Sequence, residues 1–180
     1  MSSPLTKLAS RVLRLNVGFL LKEGFGYSRD FPFDEPMVPV ADDLTVADLH
    51  GHMSLSRTPQ GLYAQGLLRA TVAHTCARCL IDINQPVQSR LGELFHYPPE
   101  NAPPDSLLVS DDHYVDLAPI VRDEFILSIP LQPLCRPDCK GLCPQCGANW
   151  NDGPCDCPSE APDPRWAGLA DLLDKEPYAN

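Results

Sequence analysis

Alternating hydrophobic and polar residues predict several β-strands in the first half of the chain. The clearest run lies between residues 62 and 76, where apolar side chains occupy every second position and polar ones fall between them. Similar runs cover residues 11–17, 44–56 and 86–97. A Pro-Gln-Gly sequence at residues 59–61 separates two of the runs and is typical of a hairpin turn. The order of these runs predicts an antiparallel meander.

Other stretches depart from the strand pattern. Glycines and prolines between residues 24 and 39 predict a loop, and the proline-rich, acidic residues 98–112 predict a second one. Apolar residues 117–125 follow a helical period instead, and Asp116 stands where a helix N-cap would be expected. Glu124 interrupts the apolar face of this helix, and we interpret it as a boundary residue in preference to a buried polar contact.

The last third of the chain differs in composition from the rest. Residues 135–157 contain six of the eight cysteines, residues 158–164 have the composition of a linker, and residues 166–173 predict a short amphipathic helix. The sequence therefore predicts an α+β protein with two domains. Residues 1–134 would form an antiparallel sheet with a covering helix, and residues 135–180 a cysteine-rich zinc module with the terminal helix.

The centre of the cysteine-rich segment has the spacing of a metal knuckle. Cys143 and Cys146 are separated by two residues, so their two thiolates can bind one ion. Gly147 follows them and lowers the steric cost of the tight turn. Thiolates without a nearby histidine favour zinc over magnesium or calcium. Six local cysteines exceed the four positions around one zinc ion, and their spacing leaves the ligand set open. The minimum prediction is one zinc held by Cys143, Cys146 and two of the remaining four, which are Cys135, Cys139, Cys155 and Cys157.

A second pair with the same spacing, Cys76 and Cys79, follows the clearest strand. Together with Cys135 and Cys139 it would supply the thiolates for a second zinc ion; buried small side chains or free thiols are the alternative. A thioredoxin-like role requires a βαβ context, which is not predicted here.

A disulfide framework is the competing interpretation of the eight cysteines. Charged and polar residues interrupt the apolar positions near the N-terminus, so we expect no secretory signal. The expected compartment is therefore reducing and cytoplasmic, which disfavours disulfides. We predict a structural zinc site, because a catalytic one keeps an open position beside an acid or base.

Charge is divided unevenly along the 180 residues, whose net charge is −10. Residues 1–90 carry nine basic and eight acidic side chains, whereas residues 91–180 carry five and sixteen. This acidity excludes a nonspecific nucleic-acid coat, and the short apolar runs predict no membrane span. The basic N-terminal stretch is the exception, and we interpret it as an RNA contact or a solvated face. Its candidate RNA-binding residues are Lys7, Arg11, Arg14, Lys22 and Arg29.

Catalytic motifs are not apparent. The chain contains no G-x-S-x-G, P-loop, G-x-G-x-x-G or H-E-x-x-H sequence. Its five histidines are dispersed; His50 and His52 could chelate a metal but are better interpreted as surface residues. We therefore predict that the protein is not an enzyme and has no small-molecule substrate.

Six motifs together resemble one known family. The most specific is Cys139–Asn149, which reads CKGLCPQCGAN. The others are Cys76–Leu80, Glu93–Phe95, Asp116–Pro119, Ile129–Cys135 and Asp163–Arg165. From about Leu13 to Leu173 the chain resembles the YceD family of large ribosomal RNA subunit accumulation proteins, with Trp150 at a position where leucine is common.

This resemblance implies a non-enzymatic role in the production or stability of 23S ribosomal RNA and in maturation of the large subunit. The implied partner is ribosomal RNA, contacted by the sheet or the basic N-terminal stretch, or a basic ribosomal protein, contacted by the acidic second half. Two alternatives remain. One is a zinc- or thiol-based redox-switch adaptor in which oxidation ejects the metal. The other is an RNA-processing enzyme, which the missing acid–base cluster disfavours.

Overall fold

A computed structural model describes residues 11–158 of the chain. Its elements, in chain order, are β1 (Arg14–Asn16), a 3-10 helix (Leu20–Lys22), β2 (Ser28–Ala41), β3 (Leu44–Thr58), β4 (Gly61–Thr75), β5 (Asp82–His96), a second 3-10 helix (Pro99–Asn101), β6 (Tyr114–Asp116) and α1 (Ala118–Ser128). The predicted α+β class is confirmed. The predicted terminal helix and nearly all of the linker before it lie outside the described residues.

Four long strands form the main sheet in the order β2–β3–β4–β5, each antiparallel to the next. The predicted hairpin between β3 and β4 closes at Gly61, whose φ is +153° and where a Cβ would overlap the Phe95 carbonyl oxygen. The Arg57 guanidinium supports this turn by donating to the Thr58 and Gly61 carbonyl oxygens at 3.0 and 2.9 Å. The predicted antiparallel meander is confirmed.

Strand β2 shows that the loop predicted over residues 24–39 is wrong for most of its length. Pro32 and Pro39 lie in register with His52 and Thr45 of β3. Proline lacks a backbone N–H and breaks an interior strand, but an edge strand tolerates it where no partner needs the donor. β2 lies at the edge of the sheet, so its prolines do not interrupt the pairing with β3.

A second, two-stranded sheet pairs β1 with β6, with Leu15 opposite Val115. The start of the chain therefore forms a strand, as predicted, although a shorter one. Its partner β6 was not predicted, because three residues are too few for an alternation to be visible. Between β5 and β6, the predicted loop over residues 98–112 contains one 3-10 helix and a bridge from Leu108 to His96.

Helix α1 covers the sheet by packing against β5 and β2. The N-cap residue of α1 is Leu117, so the predicted cap at Asp116 is wrong by one position, although the Asp116 carboxylate accepts a hydrogen bond from the Ala118 N–H at 2.9 Å. Val121 and Phe125 are fully buried, and Glu124 beside them is half-buried, as a boundary residue would be. The covering helix is therefore confirmed.

The hydrophobic core lies between α1, the small sheet and one face of the main sheet. Alternate residues along most of β4 and β5 contribute to it, so the alternation in the sequence reports burial correctly. The opposite face of the main sheet is left to solvent. Within residues 11–158, no helix has the length and hydrophobicity required to span a bilayer.

Candidate metal centre

The first cysteine cluster consists of Cys76, Cys79, Cys135 and Cys139, whose sulfur atoms all lie within 4.8 Å of one another. The Cys79 and Cys135 sulfurs are 3.6 Å apart, and those of Cys76 and Cys139 are 3.9 Å apart. A Zn–S bond of about 2.3 Å places the sulfurs of a tetrahedral site about 3.8 Å apart. Two of the sulfur pairs therefore stand close to the spacing that one zinc ion requires, and all four sulfurs are near enough to converge on one ion.

The second cysteine cluster consists of Cys143, Cys146, Cys155 and Cys157, and its sulfurs meet the same 4.8 Å limit. This grouping brings Cys155 and Cys157 together although extended chain would point them to opposite sides. Gly153 has a φ of +153°, and the segment after it turns rather than running as a strand. Both cysteines can therefore face one ion.

The two C-x2-C pairs adopt the same local backbone turn. The Leu80 N–H donates to the Cys76 carbonyl oxygen at 3.0 Å, and the Gly147 N–H donates to the Cys143 carbonyl oxygen at 2.9 Å. Leu80 and Gly147 both have positive φ values, +58° and +74°. Gly147 adopts this conformation without steric cost, whereas Leu80 has a side chain that must be accommodated there.

The first cluster joins the end of β4 to the chain that follows α1. The Ala77 N–H donates to the Pro133 carbonyl oxygen at 2.8 Å, and the Arg78 guanidinium donates to the Cys139 carbonyl oxygen at 2.7 Å. These bonds bring the two cysteine pairs into register. An ion bound here would cross-link chain segments that are 56 residues apart in the sequence.

Hydrogen bonds and burial shift the pKa values of the cysteines in the first cluster, and these shifts bear on whether a cation can bind. The backbone N–H of Cys79 is the main reason why the pKa of Cys76 falls to about 6. The N–H groups of Arg78 and Cys135 also lower this pKa, whereas burial raises it. Burial raises the pKa of Cys135 to about 12, and the surrounding thiols act in the same direction. Four thiolates cannot share this space unless a cation neutralises them. The cluster is therefore suited to a metal ion.

In the second cluster, an indole N–H lowers the pKa of one cysteine in a similar way. The Trp150 Nε1–H donates to the Cys155 sulfur at 3.4 Å, and this bond is the main reason why the pKa of Cys155 falls to about 6. The neighbouring thiol of Cys146 raises the pKa of Cys157 to about 12. A leucine at position 150 would have no donor to offer. Sequence reasoning missed this role because spacing alone does not show which side chains approach a sulfur.

Asn151 connects the two clusters. It follows the second knuckle, yet its Nδ2–H donates to the Cys139 sulfur of the first cluster at 3.4 Å. Its Oδ1 accepts hydrogen bonds from the Lys140 N–H at 2.9 Å and the Arg136 guanidinium at 2.8 Å. This network fixes the amide beside the sulfur and orients a ligand from outside the coordination sphere.

Burial distinguishes the two clusters. Three of the four cysteines in the first are buried, whereas in the second Cys146 is exposed and two others are half-buried. Both offer four sulfur donors, a set that suits zinc, and both would be closed once four thiolates were bound. The residues therefore fit structural zinc better than a catalytic ion, although the identity of the metal remains a prediction.

The structure brings all eight predicted cysteines into two groups of four. Of the ligand sets that the sequence left open, the structure shows the one in which Cys76 and Cys79 combine with Cys135 and Cys139. The domain boundary proposed after residue 134 stays a prediction, and the first cluster takes one pair from each side of it.

The candidate RNA-binding residues of the N-terminal stretch differ in their surroundings. Lys7 lies outside the described residues, and Arg11 and Lys22 are exposed. Arg14 forms an ion pair with Asp112 at 2.6 Å, and Arg29 lies over the Phe19 ring. Their proposed contact with RNA stays a prediction. His50, interpreted as a surface residue, is exposed, and its Nδ1 lies 2.7 Å from the Asp48 carbonyl oxygen.

Replacing Trp150 with phenylalanine tests the role of the indole. We expect the affinity of the second cluster for zinc to fall about ten- to a hundredfold, because a hydrogen bond to a ligand is lost while most of the ring remains. Competition with a colorimetric chelator would measure this, with the first cluster in the same molecule as the internal control. Equal weakening of both ions would contradict a specific bond to Cys155.

Comparison with known proteins places these clusters in a family. The family described as Large ribosomal RNA subunit accumulation protein YceD matches residues 64–173, more than half of the chain. Uncharacterized protein Rv2926c of Mycobacterium tuberculosis is 39% identical over 121 residues, which cover 65% of this chain and 58% of that protein. YlbN of Bacillus subtilis is 35% identical over 104 residues, covering 56% and 60% of the two chains.

A plant relative extends the comparison. The Arabidopsis thaliana protein named Large ribosomal RNA subunit accumulation protein YCED homolog 1, chloroplastic, is 34% identical over 80 residues, which cover 44% of this chain and 22% of that protein. The chain spans less than two thirds of the length of the mycobacterial and Bacillus relatives. No solved structure shows a significant match to it.

The family match includes both cysteine clusters, since it begins within β4 and extends beyond Cys157. It also contains the specific motif from Cys139 to Asn149 that carries the resemblance in the sequence. The chain belongs to the YceD family of large ribosomal RNA subunit accumulation proteins.

Proposed function

We propose that this protein is a non-enzymatic ribosome-biogenesis factor that supports accumulation of 23S ribosomal RNA and maturation of the large subunit. The observation that carries this proposal is the family match over residues 64–173. The plant relative, whose printed name refers to accumulation of large-subunit ribosomal RNA, supports it. The expected place of action is the cytoplasm, where ribosomes are assembled.

The geometry of the metal centre supports a binding role rather than catalysis. Among the described residues, the groups of side chains that converge closely enough to hold a metal consist of cysteines alone. Four thiolates around zinc leave no position for a substrate or an activated water. The two ions would act by fixing the shape of the cysteine module against the sheet.

The partner is large-subunit ribosomal RNA or a basic ribosomal protein. Residues 91–180 carry sixteen acidic against five basic side chains, a charge that would attract a basic protein. The main sheet offers a solvent-exposed face at which RNA could be contacted. These two partner classes give different results in one experiment.

Affinity capture of the tagged full-length chain tests the proposal. We expect precursor large subunits and 23S ribosomal RNA to be enriched, and cells depleted of the protein to contain less 23S than 16S ribosomal RNA. A contact made through RNA should disappear after ribonuclease treatment and weaken steeply with salt, whereas a contact with a ribosomal protein should survive the nuclease. The proposal fails if neither large-subunit precursors nor 23S levels respond. Clean, metal-dependent cleavage of precursor 23S RNA by the purified chain would show an enzyme instead.

A redox-switch adaptor is the second candidate, and the exposure of Cys146 favours it. An accessible thiolate is oxidised more readily than a buried one, and its loss would release the ion of the second cluster. Zinc release and loss of the captured partner under mild peroxide would support this function. Unchanged zinc content and partner binding after peroxide would remove it.

A further inference from the structure

The outer sheet face is the solvent-exposed side of the main sheet, opposite the core. Register pairing arranges its central residues in rows that cross β3, β4 and β5. The rows are Ser56–Tyr63–Leu94, Ser54–Gln65–Gly92, His52–Leu67–Arg90 and His50–Arg69–Gln88. All of these residues are exposed or half-buried, so the sheet presents a continuous surface with no element of the described chain buried against it.

The centre of this surface, on β3, β4 and β5, is basic although the whole chain is acidic. Its four central rows contain Arg69 and Arg90 and two imidazoles, but no carboxylate. The acidic side chains in register with these rows, Asp30 and Asp34, are confined to the edge strand β2. A protein of net charge −10 therefore keeps the centre of one wide face free of acid. The centre of this face is complementary to a polyanion.

An aromatic side chain lies across the same surface. Tyr63 is 37% exposed, and its hydroxyl stands 3.1 Å from the position that a Cβ would occupy at Gly92. Gly92 is on β5, one row away from Tyr63, so the tyrosine side chain extends over the neighbouring strand where the glycine leaves room. An exposed aromatic ring of this kind can stack with an unpaired base.

We propose that the outer sheet face binds single-stranded RNA, with Tyr63 stacking on a base and Arg69 and Arg90 contacting phosphates. This inference rests on the proposed function and names the surface through which it would act. Duplex RNA is a poorer fit, because its bases are stacked within the helix and are not available to an aromatic side chain. The proposal assigns RNA binding to one surface that combines cations and an aromatic ring, instead of to the basic N-terminal stretch.

Fluorescence anisotropy with full-length protein and fluorescein-labelled 12-nucleotide oligo(U) and oligo(A) tests the proposal. We expect Tyr63→Ala to weaken binding about 5- to 150-fold, the range that loss of one aromatic stacking partner produces. The pair Arg69→Gln and Arg90→Gln should reduce the slope of log K against log salt by about 0.7 for each phosphate that is no longer neutralised. Tyr27→Ala is the matched control, since Tyr27 is 41% exposed and precedes β2 in register with Arg57, outside these rows.

The competing surface is tested with Arg11→Gln and Lys22→Gln, because both residues are exposed members of the N-terminal stretch that is the alternative RNA contact. Binding that falls in this double variant but not in the sheet variants would overturn the inference, as would absence of binding by the unaltered protein. Photo-crosslinking of the unaltered chain to 4-thiouridine RNA gives a readout that does not depend on any variant. Crosslinks in β4 and β5 would support the surface, and crosslinks confined to other segments would contradict it.

The test also separates the inference from the proposed function. If the sheet variants still restore 23S ribosomal RNA in depleted cells and still capture large-subunit precursors, the sheet assignment is wrong and the function stands. If capture survives ribonuclease in every variant, the partner is a protein and the RNA surface is excluded. If the unaltered protein captures no precursor, the function itself fails.

Discussion

Replacing Cys139 with serine is expected to remove one of two zinc ions and to lower the melting temperature of the chain by more than about 10 °C. Cys139 is 1% exposed and belongs to the cluster that joins β4 to the segment after α1. A structural zinc ion contributes on the order of 10 kcal/mol of binding free energy, which becomes folding free energy when the unfolded chain has no site. Serine leaves a three-sulfur site in a buried position and no longer holds that ion.

The matched control is Cys146→Ser, which should also remove one ion but with a smaller loss of stability. Cys146 is exposed, and its cluster cross-links only residues 143–157, whereas the first cluster closes a much longer loop. Closing a longer loop removes more entropy from the unfolded chain. Elemental analysis and calorimetry of reduced protein would measure both effects. Two zinc ions retained by the Cys139 variant, or equal destabilisation by the two variants, would contradict the assignment.

Replacing Phe125 with alanine is expected to destabilise the protein by about 3–5 kcal/mol. The side chain is fully buried on the face of α1 that packs against the sheet. Its loss removes apolar burial and leaves a cavity that rigid neighbours on the strands cannot fill. The effect should be present with zinc bound and with zinc removed, since Phe125 lies in the main core and not in the cluster of cysteines.

Leu127 provides the control on the same helix. It is 79% exposed, so Leu127→Ala should change the free energy of unfolding by no more than about 0.5 kcal/mol. Urea denaturation of the two variants, followed by circular dichroism, measures the difference. Similar values for both would mean that α1 does not cover the sheet through Phe125.

Much of the fold could be predicted because its main strands are long and have one buried face and one exposed face. β4 and β5 each run for 15 residues with one face buried, and this produces an alternation that sequence analysis detects directly. β2 could not be predicted in the same way. Its prolines are typical of loops, and whether a strand lies at an edge is decided by tertiary pairing rather than by its own residues.

The candidate metal centre likewise has features set by residues close together in the sequence and features set by contacts between distant segments. The knuckle spacing of Cys143 and Cys146 is local, and it predicted a metal site without any structure. The sequence offered the grouping of Cys76 and Cys79 with Cys135 and Cys139 only as one option, because the choice depends on how β4 meets the chain after α1. The outer sheet face was visible as polar positions such as Arg69 and Arg90. Only strand register shows that these residues lie in adjacent rows.

The split origin of the first cluster has a consequence for the nascent chain. Cys76 and Cys79 leave the ribosome long before Cys135 and Cys139, so the growing polypeptide holds only half of a coordination sphere until Cys139, which follows α1, has been translated. Synthesis proceeds from the N-terminus, so the main sheet can fold before Cys135 and Cys139 have been synthesised. If the cluster binds zinc, a chain made without zinc would have a formed sheet but a tail joined to it only by bonds such as those at Ala77 and Arg78. Such chains should be cleaved by proteases faster than zinc-bound ones, so the supply of metal would affect how much of the protein survives.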